Sequence, residues 1–208
     1  MAKAVLISIR PGWVEKIANE LKTIEVRKSK PNLETPFKCY IYCTNTRPFL
    51  VWGHVFRGDW FTEFTHLSGY SRAEADEIWN VFNGHVAGEF TCDRVEIIKA
   101  TTEPYGTYDV DDDFVAQTGL VNGALWDYGK GATLYGWHIS ELKVYDAPKP
   151  LSEFWFPDDL YCEKELCGGC PWDQSPDING EYEFDCGWRR PLRRPPQSWC
   201  YVEELGSE

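Results

Sequence analysis

The chain has 208 residues, 43% of them hydrophobic, which suffices for one good-sized domain with a real core, or for one domain with an appendage. Its 21 Lys and Arg against 33 Asp and Glu leave a net charge of -12, excluding sequence-blind nucleic-acid binding through the whole surface and confining any such contact to a local patch. The opening MAKAVLISIRPG has an apolar part too short for a signal peptide or a membrane span, and no later segment is long enough to cross a bilayer, so a cytoplasmic location is expected.

Ala4 to Ile9 reads as an apolar strand with Ser8 and Arg10 at its exit. Arg10-Pro11-Gly12 starts a helix in which Trp13, Ile17 and Leu21 recur at helical spacing, with Val14 and Ala18 beside them. That helix delivers Lys22 to the next strand, within Leu21 to Lys30 (LKTIEVRKSK), where charge and apolar alternation are superimposed. Ile24 and Val26 point to one side, into a core, while Thr23, Glu25 and Arg27 share the outward side. Strand rise sets the Glu25 and Arg27 Cα atoms roughly 6.6 to 7 Å apart, close enough to grip one planar polar group.

Phe37 to Thr44 (FKCYIYCT) is a strand with Cys39, Ile41 and Cys43 on one face and Tyr40 and Tyr42 on the other. Cys39 and Cys43 lie about 13 Å apart along an extended strand, too far to share a metal, and read as buried structural thiols. Residues 47–84 are the least regular part, with a helix expected from Ser71 to Phe82 behind a capping-box glutamate, Glu74. HVAGEFTCDRVEIIKA is a long strand with a bulge or bend at Gly88, as closure of a small barrel requires. The run Asp111-Asp112-Asp113 lacks a calcium-loop pattern and reads as a solvated turn or helix start; Phe114 to Thr118 and Ala124 to Tyr128 are short helices. Thr133 to Asp146 is the closing strand, with Tyr135, Trp137 and Ile139 alternating with Gly136, His138 and Ser140.

Lys22, Glu25 and Arg27, after a helix and on a strand, resemble the G-x-K-x-x-E-x-R signature of ASCH domains. YGWHIS with the following PKPLSEF is similar to that family's last barrel strand and exit, so the likeness spans Ala4 to about Phe154. The resemblance implies a PUA-like small mixed β-barrel of α+β class with short flanking helices, over residues 1–153, followed by a cysteine-rich appendage over residues 154–208. One departure is Glu20, which stands where the pattern has the Gly that permits positive φ at the helix-to-strand turn.

Three functions follow from the residues and the resemblance. PUA-like clefts bind RNA or modified, flipped or single-stranded nucleotides. Glu25 would accept hydrogen bonds from an exocyclic amine or ring N–H, and Arg27 and Lys22 would meet phosphate or carbonyl oxygens, with Trp13, Trp137 or Tyr135 as stacking faces. Arg10 at the first strand's exit and His138 on the closing strand complete the candidate set, although Trp137 alone reads as core and His138 alone as a structural hydrogen bonder. The second function is an amidohydrolase on acylated cytidines, since hydrolytic relatives resemble a Thr-Lys-Glu arrangement; here Glu25 occupies the Thr position, so a binding cleft is preferred. The third is a protein-interaction module with an unused cleft.

Between Tyr161 and Tyr201 fall five of the eight cysteines, Cys162, Cys167, Cys170, Cys186 and Cys200. Cys167-Gly-Gly-Cys170 is a C-x-x-C knuckle, and four of the five thiols are expected to hold a structural zinc that orders a segment poor in aliphatic residues. A C-x4-C-x2-C ferredoxin-like spacing and a redox pair are the competing readings. Arg189 to Val202 (RRPLRRPPQSWCYV) is extended by its prolines, its tryptophan and tyrosine are placed to dock on the barrel, and PPQSWCYVE is similar to the ending of prophage-type family members.

Overall fold

The computed structural model describes residues 2–47, 49–54, 62–67, 73, 81–101, 106–120, 123–157 and 191–206. Strand β1 (Lys3–Ile9) leads into helix α1 (Pro11–Ala18), then strands β2 (Ile24–Arg27), β3 (Phe37–Cys43), β4 (Phe49–His54), β5 (Thr62–Leu67) and β6 (Val86–Ile98). Helices α2 (Asp112–Gln117) and α3 (Ala124–Gly129) precede β7 (Leu134–Lys149), a 3-10 turn (Leu151–Glu153) and β8 (Trp199–Glu203). A six-stranded mixed sheet runs β2-β7-β6-β3-β1-β8, and β4 pairs with β5 in a separate antiparallel hairpin. Within the large sheet β1 and β3 are parallel and the other neighbours antiparallel.

The alternation in β3 is as expected. Cys39, Ile41 and Cys43 join Val5, Ile7, Ile9, Val14, Ile17 and Trp137 in one core, while Tyr40 and Tyr42 join Ala4, Leu6, Phe154 and Val202 in another. A third cluster sits beneath α2 and α3, where Ile24, Val26, Ile98 and Leu134 meet Phe114 and Leu125. Gly136 makes room there, because a Cβ at that position would stand 2.8 Å from the Phe114 ring. Gly88 sits at the expected irregularity: the β6 register shifts on both sides of it, and a Cβ would collide with the Lys143 carbonyl oxygen. Asp111 caps α2, its carboxylate accepting from Phe114 N at 2.7 Å, so the acid run is a helix start.

One expectation of the helix changes. Leu21 is 67% exposed, because the helix ends at Ala18 and only Val14 and Ile17 continue its buried stripe. At the far end of the chain β8 pairs antiparallel with β1, from Lys3 opposite Glu203 to Ile7 opposite Trp199. The helix expected over Ser71 to Phe82 falls mostly outside the described residues, as do Cys162, Cys167, Cys170 and Cys186. Among the described residues no helix is long and apolar enough to cross a membrane.

Candidate functional site

The site begins with the turn that ends α1. Glu20 takes φ 58°, Leu21 N donates to Lys16 O at 2.8 Å and Glu20 N to Ile17 O at 2.9 Å, the two bonds of a Schellman cap with Glu20 in the left-handed position. This is the conformation that the Gly of the signature it resembles would adopt without strain, and it turns the chain so that Lys22 enters the protein instead of solvent.

All four residues of β2 are buried, which corrects the expectation that Glu25 and Arg27 project outward. Ile24 and Val26 pack beneath α2 and α3, so the opposite side of the strand is the face that carries the Trp137 core. There Glu25 faces Trp137 and Arg27 faces Tyr135 across the ladder with β7. Lys22, Glu25 and Arg27 are 4%, 7% and 9% exposed. Lys22 Nζ lies 3.2 Å from Glu25 Oε2, and Arg27 Nε lies 2.9 Å from Glu25 Oε1. One carboxylate thus bridges two cations.

Each charge has further anchors. Lys22 Nζ donates to Ile24 O at 2.8 Å and Thr118 O at 2.7 Å, and it lies 5.3 Å from the centre of the Trp13 ring. The ammonium's three hydrogens are matched by three acceptors. Burial lowers the Lys22 pKa from its ordinary value; Glu25 opposes that shift, while Arg27 and Lys16 add to it. Arg27 Nη2 donates to Ser8 O at 2.7 Å and Nη1 to the Ser198 hydroxyl at 3.4 Å, so the guanidinium reaches from one sheet edge to strands at the other. Its Nε is close to Glu25 but not aligned for a hydrogen bond, and Trp137 Nε1, also buried, has no acceptor among the described residues.

The remaining candidates divide. Trp13 is half-buried, with Lys16 Nζ 4.7 Å from its ring centre, and stands beside the ion string. Trp137 is fully buried core, 5.9 Å edge-on from Phe37, so it offers no open stacking face. His138 faces the other way: opposite Ile24, against the Phe114 ring, with Nε2 3.2 Å from Glu96 Oε2 and Arg94 Nη2 3.1 Å from the same nitrogen. It lines a shallow hollow with Thr23, Asp93, Arg94, Gln117 and Ile139, apart from Glu25 and Arg27. Neighbouring strand residues point to opposite faces, so Trp137 and His138 cannot serve one cleft. Arg10 is exposed at the α1 N-cap, where its carbonyl oxygen accepts from Trp13 N and Val14 N.

Sequence reasoning missed Ser8, Thr118 and Ser198. Ser8 and Thr118 each contribute a backbone carbonyl, which no residue type announces, and Ser198 a hydroxyl 171 residues from Arg27. Cys200 lies on β8 opposite Leu6 and packs on the Tyr40 cluster, its thiol pushed up to about 12 by burial. Among the described residues no three metal-ligating side chains gather.

No protein-family model and no curated protein matches the sequence. Among solved structures, the chain is similar to the crystal structure of ASCH from Zymomonas mobilis at 16% identity and a TM-score of 0.48, covering 97% of this chain and 88% of that one. Two mutants of the same Zymomonas mobilis protein match at 14% identity, one with a TM-score of 0.46 over 97% of this chain and 89% of that chain. The other has a TM-score of 0.41 over 72% of this chain and 77% of that chain. The six-stranded mixed sheet with few short helices has the α+β form that the Lys22, Glu25 and Arg27 signature implies.

Proposed function

We propose that this ASCH-like domain is a nucleic-acid-binding module that takes one base or nucleotide of a single-stranded or modified RNA-type ligand at Glu25 and Arg27. The observation that carries this reading is a buried N–H donor, Trp137 Nε1, with no acceptor among the described residues, beside an Arg27 Nε that is ion-paired but not hydrogen-bond-aligned to a carboxylate bridging two cations. Buried donors are seldom left unmatched in a finished core, and a planar ligand rich in carbonyl or phosphate oxygens supplies the missing acceptors. Two cations to one anion also give the string an excess positive charge in a chain of net charge -12, so the attraction is local. The Lys22 donors are already matched, so Lys22 orients Glu25 and recognition rests on Arg27.

The amidohydrolase reading receives less support. No hydroxyl is hydrogen-bonded to Lys22 Nζ among the described residues, and Thr23 lines the hollow with His138. The test is titration of short RNA and DNA, with and without modified cytosines, against wild type and Arg27→Lys, which keeps the charge but loses the planar fork. A loss of about ten-fold or more, with the protein still folded, is expected. Equal binding by both proteins would remove the site.

We propose further that zinc is held by the tail cysteines, with Cys162 completing the set of Cys167, Cys170 and Cys186. Cys200 is the least suited of the five because its thiol is committed to an apolar strand environment. Metal analysis of pure protein should find zinc that is lost in Cys167→Ser and kept in Cys200→Ala; zinc retained in the first or lost in the second would reverse that choice.

A further inference from the structure

The two edges of the large sheet, β2 and β8, meet through side chains. Arg27 reaches Ser198, the Trp199 indole N–H donates to the Ser29 hydroxyl at 3.0 Å, and the Asn32 backbone N–H donates to the Tyr201 hydroxyl at 2.7 Å. Residues 29–32 therefore run beside 199–201, and this seam carries an uncommon composition for an acidic protein. Trp199 and Tyr201 are half-buried, with ring centres 5.4 Å apart and near perpendicular, their inner sides packed on the interior core. Lys3 Nζ lies 5.2 Å from the Tyr201 ring centre. On the other bank Lys28 and Lys30 are exposed, and Lys28 Nζ lies 5.0 Å from the centre of the Tyr128 ring, itself 39% exposed.

We infer that the β2–β8 seam is the path of a single-stranded nucleic acid whose recognised nucleotide occupies the Glu25 and Arg27 site; the inference rests on that reading and extends it to the flanking nucleotides. Three partly exposed aromatic rings accept bases without regard to sequence, and Lys3, Lys28 and Lys30 neutralise the phosphates between them. The Arg27–Ser198 contact makes the seam continuous with the interior string, so the neighbours of a nucleotide held at Arg27 would lie along the seam. A duplex does not fit this surface, since its bases are not free to stack on protein rings. The seam also gives β8 a role in binding as well as in closing the sheet.

The test compares a ribouridine dinucleotide with a twelve-nucleotide oligoribouridine, for wild type, Arg27→Lys and a Lys28→Ala/Lys30→Ala double variant. Both lysines are exposed, so their removal should leave folding intact. The longer RNA should bind wild type at least ten-fold more tightly, and the double variant should lose most of that gain while keeping the dinucleotide affinity. Its slope of log affinity against log salt should fall by roughly 1.4, about 0.7 for each phosphate no longer neutralised. A double variant with wild-type affinity and salt slope overturns the seam while leaving the nucleotide site intact. Failure of wild type to bind either RNA, or indifference of both RNAs to Arg27→Lys, overturns the site and the seam with it.

Discussion

Replacing Glu25 by Gln is the sharpest test of the ion string, because it removes the one anion between two buried cations while keeping the side chain's shape. The carboxylate lies 3.2 Å from Lys22 Nζ and 2.9 Å from Arg27 Nε, with 9% of its side-chain surface exposed, so solvent cannot replace what it supplies. Breaking a buried pair from one side costs about 3–5 kcal/mol, a large share of the roughly 5–15 kcal/mol that holds a typical domain folded. An exposed pair provides the control: Lys130 and Asp127 are also 2.9 Å apart, but 68% and 78% exposed, and Asp127→Asn should cost under about 1 kcal/mol.

Urea unfolding of both variants at neutral pH measures the two costs on one scale. Lys22 offers a partial escape, since burial already lowers its pKa and loss of a proton would relieve the repulsion with Arg27. The Glu25→Gln cost should therefore shrink as pH rises. A Glu25→Gln cost no larger than that of Asp127→Asn would mean that the string is wetter than its burial implies, and the site built on it would fall.

Glu20→Gly should stabilise the protein by about 0.5–1 kcal/mol in the same assay, because Glu20 holds φ 58° and glycine removes that strain while adding some unfolded-state entropy. In the wild type, the lowered Lys22 pKa means that the unfolded chain binds the proton more tightly. Its contribution to stability is therefore least favourable below the folded pKa and recovers as pH rises toward the ordinary 10.5. Lys22→Met lacks this recovery, so the stability gap between wild type and variant should move in favour of wild type from pH 8 to 10.5; a gap that does not change would contradict the direction of the shift. Cys39, Cys43 and Cys92 are buried, and burial pushes the Cys92 thiol up to about 12 and Cys39 well above its usual value. Peptide mapping after alkylation at pH 8 should find these three unmodified until the protein is unfolded.

What the sequence made legible was local. The strand periodicities at residues 37–43, 86–98 and 134–149, the bend at Gly88 and the helix cap at Asp111 each depend on neighbours within a few residues. The orientation of Glu25 and Arg27 does not. Alternation separated them correctly from Ile24 and Val26, but which side was interior depended on α2 and α3, almost a hundred residues later, covering the other face. The same limit applies to β8, whose pairing with β1 joins Leu6 to Cys200 across nearly the whole chain. A short strand after Pro195 and Pro196 resembles a loose tail until its partner is known. His138 is different, since its separation from Trp137 was available from strand parity alone.

The placement of the ion string links closure of the fold to recognition. Arg27 holds the Ser8 carbonyl and the Ser198 hydroxyl, so the group proposed to receive a ligand is also one that keeps the sheet edges together. Lys22 has no spare hydrogen for a ligand, whereas the guanidinium has five donors and, among the described residues, turns them only to Ser8, Ser198 and Glu25. A ligand that takes the remaining donors therefore strengthens the seam without having to break Lys22 from its carbonyls. Binding at this site should accordingly raise resistance to unfolding, by an amount set by ligand concentration over its dissociation constant. A ligand that instead displaced Ser198 from Arg27 would loosen β8 as it bound, and alkylation of Cys200 on that strand would become faster, not slower, in its presence.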